Sequence, residues 1–384
     1  MRPRGIICDR LSVSGSCLIP RPSRTSCKAI RQIVGPGHSL AIRYAWLSVF
    51  ISCGRRRLIV IGSCSGNFYA LDKNTGQLRW SYNIKQDGDQ SSFHDDPLIA
   101  DDLVVIGTDA GRQGHIYAFN RATGKVRWKY LVRTGDLEDF GVASDIVRKD
   151  DAIYAVAKGD DLLCLDLTTG AVRWHFASGF DRQHTAWENS PAINGDTILF
   201  GGQDGVVYAL DAHSGKLTWK TDLHTPVLTT PVLADSMIYV GTSDHFFSLR
   251  PNDGRVVSSF LIPVKPWRNT TVSGSHLLVI SSDFFYQRVP SEILSLDLAS
   301  HTVQLLARPS AESADWGTVR PYLWGGEVLV SDTGHLYAYK ESDHSLLWSH
   351  DFPAQLVRGI GTTSDLLYLG TMQGMVFAFS PEHR

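Results

Sequence analysis

A scattered set of imidazoles, carboxylates, guanidinium groups and indoles carries the chemistry this sequence has to offer: His94, Asp95, Asp139, His184, Trp187, Glu188, His224, Trp267, Arg268, Asp315, Trp316, Arg320 and Arg358. Asp95 or Glu188 could act as a general acid or base, with Arg268 or Arg320 holding a substrate carboxylate. That combination would suit an acidic saccharide. The same groups, with three indoles between them, could equally bind a small polar ligand or a protein partner without turning anything over. A shared metal ion is not expected, because His94, His184 and His224 fall in three separate segments of the chain. The cysteines at 8, 17, 27, 53, 64 and 164 form no C-x-x-C spacing, which argues against structural zinc, a dithiol redox motif and covalent haem.

What could bring such distant residues together is a repeat. The segment Ala70-Leu71-Asp72-Lys73-Asn74-Thr75-Gly76-Gln77-Leu78-Arg79-Trp80 returns as Ala118 to Trp128, Cys164 to Trp174 and Ala209 to Trp219. Weaker copies follow Ser248, Ser295 and Ala338, and a last one starts at Ala378. The turn position recurs at 76, 124, 170, 215, 254, 301 and 344, and the chain ends at 384. A period of about forty to forty-eight residues built from short apolar runs is that of a propeller. Each copy reads as an inner strand, a turn, an aliphatic strand ending on glycine, a third strand, the Asp-x-x-Thr-Gly turn and an outer strand opening near Trp.

The expected fold is therefore all-β, an eight-bladed β-propeller of four-stranded antiparallel blades. Its last copy has no outer strand, so Lys28–Val34 is expected to close the ring, since an open ring would leave bare edges. Trp46–Cys53 then reads as the first inner strand and Leu58–Ser63 as its partner. Asp72, Asp166, Asp211 and Asp297 recur in one slot and are expected to brace turns rather than to catalyse or bind calcium. The recurring tryptophans are expected to fill the space between blades.

The Ala-x-Asp-x-x-Thr-Gly-x-x-x-Trp segments resemble the tryptophan-docking repeats of the PQQ-like, quinoprotein-type eight-bladed propellers, over roughly residues 46–384. That superfamily includes PQQ-dependent alcohol dehydrogenases and compact BamB-like scaffolds, so the resemblance implies the fold more sharply than the function. The dehydrogenases resembled are longer and carry adjacent cysteines, and neither feature recurs here. No cofactor is expected: PQQ is possible through the resemblance and unsupported by the residues. The reading that follows is a binding or scaffold protein working through its channel-mouth loops, with an enzyme on a polar or acidic saccharide as the alternative. In a propeller the links from outer to inner strands open on one face, where the thirteen residues named above would converge. A run of aromatics, Phe284-Phe285-Tyr286, is expected on the same face, capping the channel or meeting a partner.

Charge divides the chain. Residues 1–57 hold eleven Lys/Arg against one acid, a net of +10 that leaves −12 on the remainder of a protein with total charge −2. This basic front end reads as a targeting segment or as the product of a start codon set too far upstream, so residues 1–27 are taken as separate from a single propeller domain over 28–384. The near-neutral total gives no case for nucleic acid. Ala45–Cys53 is too short to span a bilayer and makes a poor signal peptide, so localisation outside the cytoplasm is implied only by the resemblance. A monomer is expected.

Overall fold

A computed structural model of the protein describes residues 31–32, 47–51, 58–63, 66–73, 75–88, 92–93, 96–108, 114–132, 141–158, 161–179, 189–263, 265–266, 270–281, 292–307, 321–331, 335–351, 356–362, 366–371 and 376–379. They form a β-propeller of four-stranded antiparallel blades. The described residues contain one short 3-10 turn, Ile84–Asp87, and no helix long and apolar enough to cross a membrane.

Blade one is built from Leu47–Ile51, Leu58–Ser63, Asn67–Asp72 and Leu78–Asn83, paired in that order. The order repeats in blades two to seven, over 98–131, 147–177, 192–222, 232–261, 271–307 and 322–351. Seven blades, rather than the expected eight, are thus complete in consecutive chain. A further sheet is composite: Leu356–Thr362, Leu367–Thr371 and Val376–Phe379 are joined at the outer edge by Arg31–Gln32. Arg31 lies opposite Ala378 and Gln32 opposite Phe377. The closing strand expected over Lys28–Val34 is described only for these two residues.

Each apolar core lies at a seam between sheets, which is why no blade is stable alone. Blades one and two share Phe68, Phe93, Tyr117 and Phe119. Blades three and four share Tyr154, Cys164, Phe200 and Tyr208. One face of the composite sheet packs Leu367, Leu369 and Phe377 on Leu329 and Leu336 of blade seven. Its other face packs Tyr368, Val376 and Ala378 on Ile59, Ile61 and Leu71 of blade one.

The seams are docked by tryptophan. Trp80, Trp128, Trp174 and Trp219 each donate Nε1–H to a main-chain carbonyl in the turn of the next blade, those of Arg121, Leu167, Ala212 and Pro251, all at 2.9 Å. The indole lies flat on the turn glycine. A Cβ on Gly215, whose φ is +67°, would sit 2.5 Å from the Trp174 ring. Glycine is thus required there twice, by the left-handed backbone and by the approach of the ring. The repeated aspartates brace the same turns: Asp72, Asp166, Asp211 and Asp297 accept the main-chain N–H of Thr75, Thr169, Ser214 and Ser300 at 2.7–3.0 Å.

Candidate functional site

The inner strands are only three residues long in blades two to seven. Proline accounts for part of this shortness: Pro191 lacks an N–H for the ladder, so the strand begins at Ala192. In blades three, four and five, the side chain two residues before the inner strand binds the blade behind it. The main-chain N–H of Asp96 donates to Asp145 Oδ1 at 3.1 Å, that of Asp145 to Ser190 Oγ at 2.9 Å, and that of Ser190 to Thr230 Oγ1 at 3.1 Å. Thr271 Oγ1 donates across the seam between blades six and seven to the carbonyl of Pro321 at 2.6 Å. These bonds join blades two to five in series and blade six to blade seven, and fix the start of the inner strands beside them.

One residue earlier, a second tier of side-chain bonds holds the links that enter blades three, four and five. Ser144 Oγ bonds the main chain of Val156 in both directions, at 2.9 and 3.0 Å. Asn189 Nδ2 donates to the carbonyls of Gly201 and Val227 at 3.1 and 2.7 Å, and Thr229 Oγ1 accepts the Gly241 N–H at 2.7 Å.

Between these strand ends lies a cleft of about 460 Å³, walled by Asp145, Val147, Ser190, Pro191, Thr230, Thr270, Thr271, Val272, Pro321, Tyr322 and Leu323. Among the described residues of the wall, hydroxyls dominate the polar groups and Asp145 is the one carboxylate. The Thr270 hydroxyl is buried with no hydrogen-bond partner. The described surface can hold hydrogen-bonding groups.

Among the expected site residues, His224 is described in full. Its ring is 85% exposed and its Nδ1 lies 3.2 Å from Asp222 Oδ2, within its own loop and outside the wall of the cleft. Arg358 lies on the inner strand Leu356–Thr362. His94, Asp95, Asp139, His184, Trp187, Glu188, Trp267, Arg268, Asp315, Trp316 and Arg320 lie outside the described residues, as does the Phe284-Phe285-Tyr286 run. The sequence reading overlooked the hydroxyl and carboxylate side chains two positions ahead of the inner strands. Their signal was the recurrence of a polar residue before proline, as in Asp96-Pro97, Ser190-Pro191 and Thr230-Pro231.

A family described as outer membrane protein assembly factor BamB matches residues 47–260 and 182–286, more than half of the chain. The chain belongs to this family. BamB of Yersinia pestis is 23% identical over 59% of the chain, a match spanning 56% of that protein's length. The crystal structure of BamB from Moraxella catarrhalis superposes with a TM-score of 0.67 at 17% identity, over 92% of this chain and all of that one. A quinohemoprotein alcohol dehydrogenase from Comamonas testosteroni superposes with a TM-score of 0.64 at 13% identity, over 91% of this chain and 79% of its own, and shares the fold.

The fold of that dehydrogenase raises the question of a quinone. Among the described residues no group of three His, Cys, Asp or Glu side chains could hold a metal ion. Cys164, the one described free cysteine, is buried at the seam of blades three and four, where burial pushes its thiol up to about 11. The described wall of the cleft does not fit a metal–quinone pair, and no step is derived through one.

Proposed function

We propose that this BamB-family propeller is a protein-binding scaffold in outer membrane protein assembly, working outside the cytoplasm and presenting its channel-mouth links to a protein partner. We propose further that the ring is closed and eight-bladed, with the composite sheet as its eighth blade. The pairing of Arg31–Gln32 with Phe377–Ala378 and the packing of that sheet on both blade seven and blade one support closure.

The observation that carries the binding reading is the chain of bonds from Asp96 through Asp145 and Ser190 to Thr230. It holds Asp96, Asp145, Ser190 and Thr230, the roots of four successive links, in one frame, and a preordered surface lowers the ordering cost of binding. Counting back from the inner strand, Arg320 stands at the offset of Asp145, Ser190 and Thr230, which wall the cleft. Arg268 and Asp95 stand at the offset of Ser144, Asn189 and Thr229. Arginine, tryptophan and carboxylate side chains on such roots are the residue types that anchor protein partners.

A photo-crosslinking residue placed at position 268 or 320, and at rim position 172 as control, tests this in cells. Adducts with a component of the outer membrane assembly machinery from 268 and 320, and none from 172, are expected. Adducts from 172 alone would overturn the reading.

A further inference from the structure

From blade one to blade five the four seams are docked by an indole on a glycine; the next two, up to blade seven, are not. Trp219 of blade four pairs with Ala209; in blade five Ser258 takes that place opposite Ser248. In blade six the bulge before this position has shifted, and Gln304 stands opposite Ser295. The turn positions that should then be glycine hold His301 and His344, in left-handed backbone at φ +57° and +55°. Bulk has moved across the seam, from the strand of one blade to the turn of the next. His301 stacks on Phe260 at 4.4 Å.

His344 is buried, with 5% of its surface exposed. Its Nδ1 lies 3.1 Å from Ser295 Oγ of blade six, and its ring meets the His276 ring edge-on at 4.8 Å. His276 Nε2 lies 3.3 Å from Asp297 Oδ2. The other ring nitrogen of His344, Nε2, is buried with no hydrogen-bond partner. Neutral imidazole tolerates this arrangement, because one nitrogen is satisfied by Ser295. Imidazolium does not: both nitrogens become donors, and one would point at nothing inside the seam.

We propose that the seam between blades six and seven is a proton-sensitive latch, in which neutral His344 docks the turn 340–345 onto blade six and its protonation in mild acid releases that turn. The described charged and titratable groups around it are His276 and Asp297 from blade six and Lys340, Glu341 and Asp343 from its own turn. Burial and the neighbouring His276 hold its proton affinity below the ordinary imidazole value, against the opposing pull of Asp343 and Glu341. The proton therefore enters as the turn leaves. The link over residues 308–320, with Asp315, Trp316 and Arg320, joins the same two blades. The latch thus sets the spacing of the strands that carry it. That consequence rests on the binding reading above; the latch itself does not.

Hydrogen exchange of the intact protein at pH 7.5 and 5.5, corrected for the intrinsic rate, tests the latch in segments 292–307 and 335–346, with the Trp174–Gly215 seam as internal control. Exchange at the latch should speed up about tenfold for each pH unit once one proton is taken up on opening, while the control seam stays unchanged. His344→Asn keeps a residue that accepts left-handed backbone and removes the titration, so its exchange at the seam should not respond to pH. His276→Gln should shrink the acid response, because the docked imidazole then takes a proton more readily and its affinity lies closer to that of the open turn. Acid-induced opening that persists in His344→Asn, or that affects both seams alike, would overturn the proposal. Should His344→Asn fail to fold, an acid response that His276→Gln leaves undiminished would do so. A latch that opens while partner binding ignores pH would count against the binding reading alone.

Discussion

At Gly215 a single hydrogen atom separates a docked seam from a clash, and the contrast with Gly195 isolates that effect. Both have left-handed backbone, at φ +67° and +56°, but a Cβ on Gly195 would meet nothing within 4 Å. Gly195→Ala should therefore cost only the backbone term, about 1 kcal/mol, and Gly215→Ala about 2–4 kcal/mol once overlap with Trp174 is added. Chemical denaturation of the two variants reads the difference directly. The turn aspartates make a second prediction. Two hydrogen-bonded partners, Arg173 and then Thr169, hold the Asp166 carboxyl down at about 2, against an ordinary 3.8. A depressed folded value stabilises above the unfolded one, so this contribution is intact above about pH 4 and is lost as pH falls toward 2. Asp166→Asn should flatten the acid limb of the stability profile in that window, measured by urea midpoints from pH 5 to 2.

Among the elements, the strands were legible because their apolar alternation and turn chemistry recur with the repeat. Leu58–Ser63 was read from sequence over the residues that form the strand, and Leu47–Ile51 falls within the expected Trp46–Cys53. The inner strands came out shorter than expected because proline and the inter-blade side-chain bonds take over where the ladder would start. Those bonds connect residues some forty to fifty positions apart in sequence, a separation no local pattern reports. The exchanged seams were illegible for a related reason. His301 and His344 read as decayed copies of a glycine, and only the facing Ser258 and Gln304, one blade earlier, turn the decay into compensation. The second tier of link bonds yields a prediction at this scale: Thr229→Val keeps the shape but leaves the buried Gly241 N–H without its acceptor. A loss of about 1–3 kcal/mol is expected, and a neutral result in thermal unfolding would show that the tier does not carry the inner strand.

For the whole molecule, closure makes stability non-local. If Arg31–Gln32 completes the last sheet, removing residues 1–40 should lower the thermal midpoint of the entire ring in one cooperative step, and removing 1–24 should leave it in place. Equal midpoints would argue against a closed ring. The fold was readable from the repeat, whereas the site was readable only as residue types on links. Link residues are not constrained by the repeat, and His224 illustrates the consequence, since its ring is exposed beside Asp222 and is not among the described residues that wall the cleft. The central claim is that the channel mouth binds a protein. The most direct measurement is the affinity of the purified propeller for the assembly-machinery component recovered by crosslinking, compared between Arg268→Glu/Arg320→Glu and the exposed rim variant Val172→Glu, with thermal midpoints as the control for folding. The account predicts at least a tenfold loss, about 1.4 kcal/mol, for the mouth variant and no change for the rim variant. Unaltered affinity for the mouth variant together with a loss for Val172→Glu would contradict it.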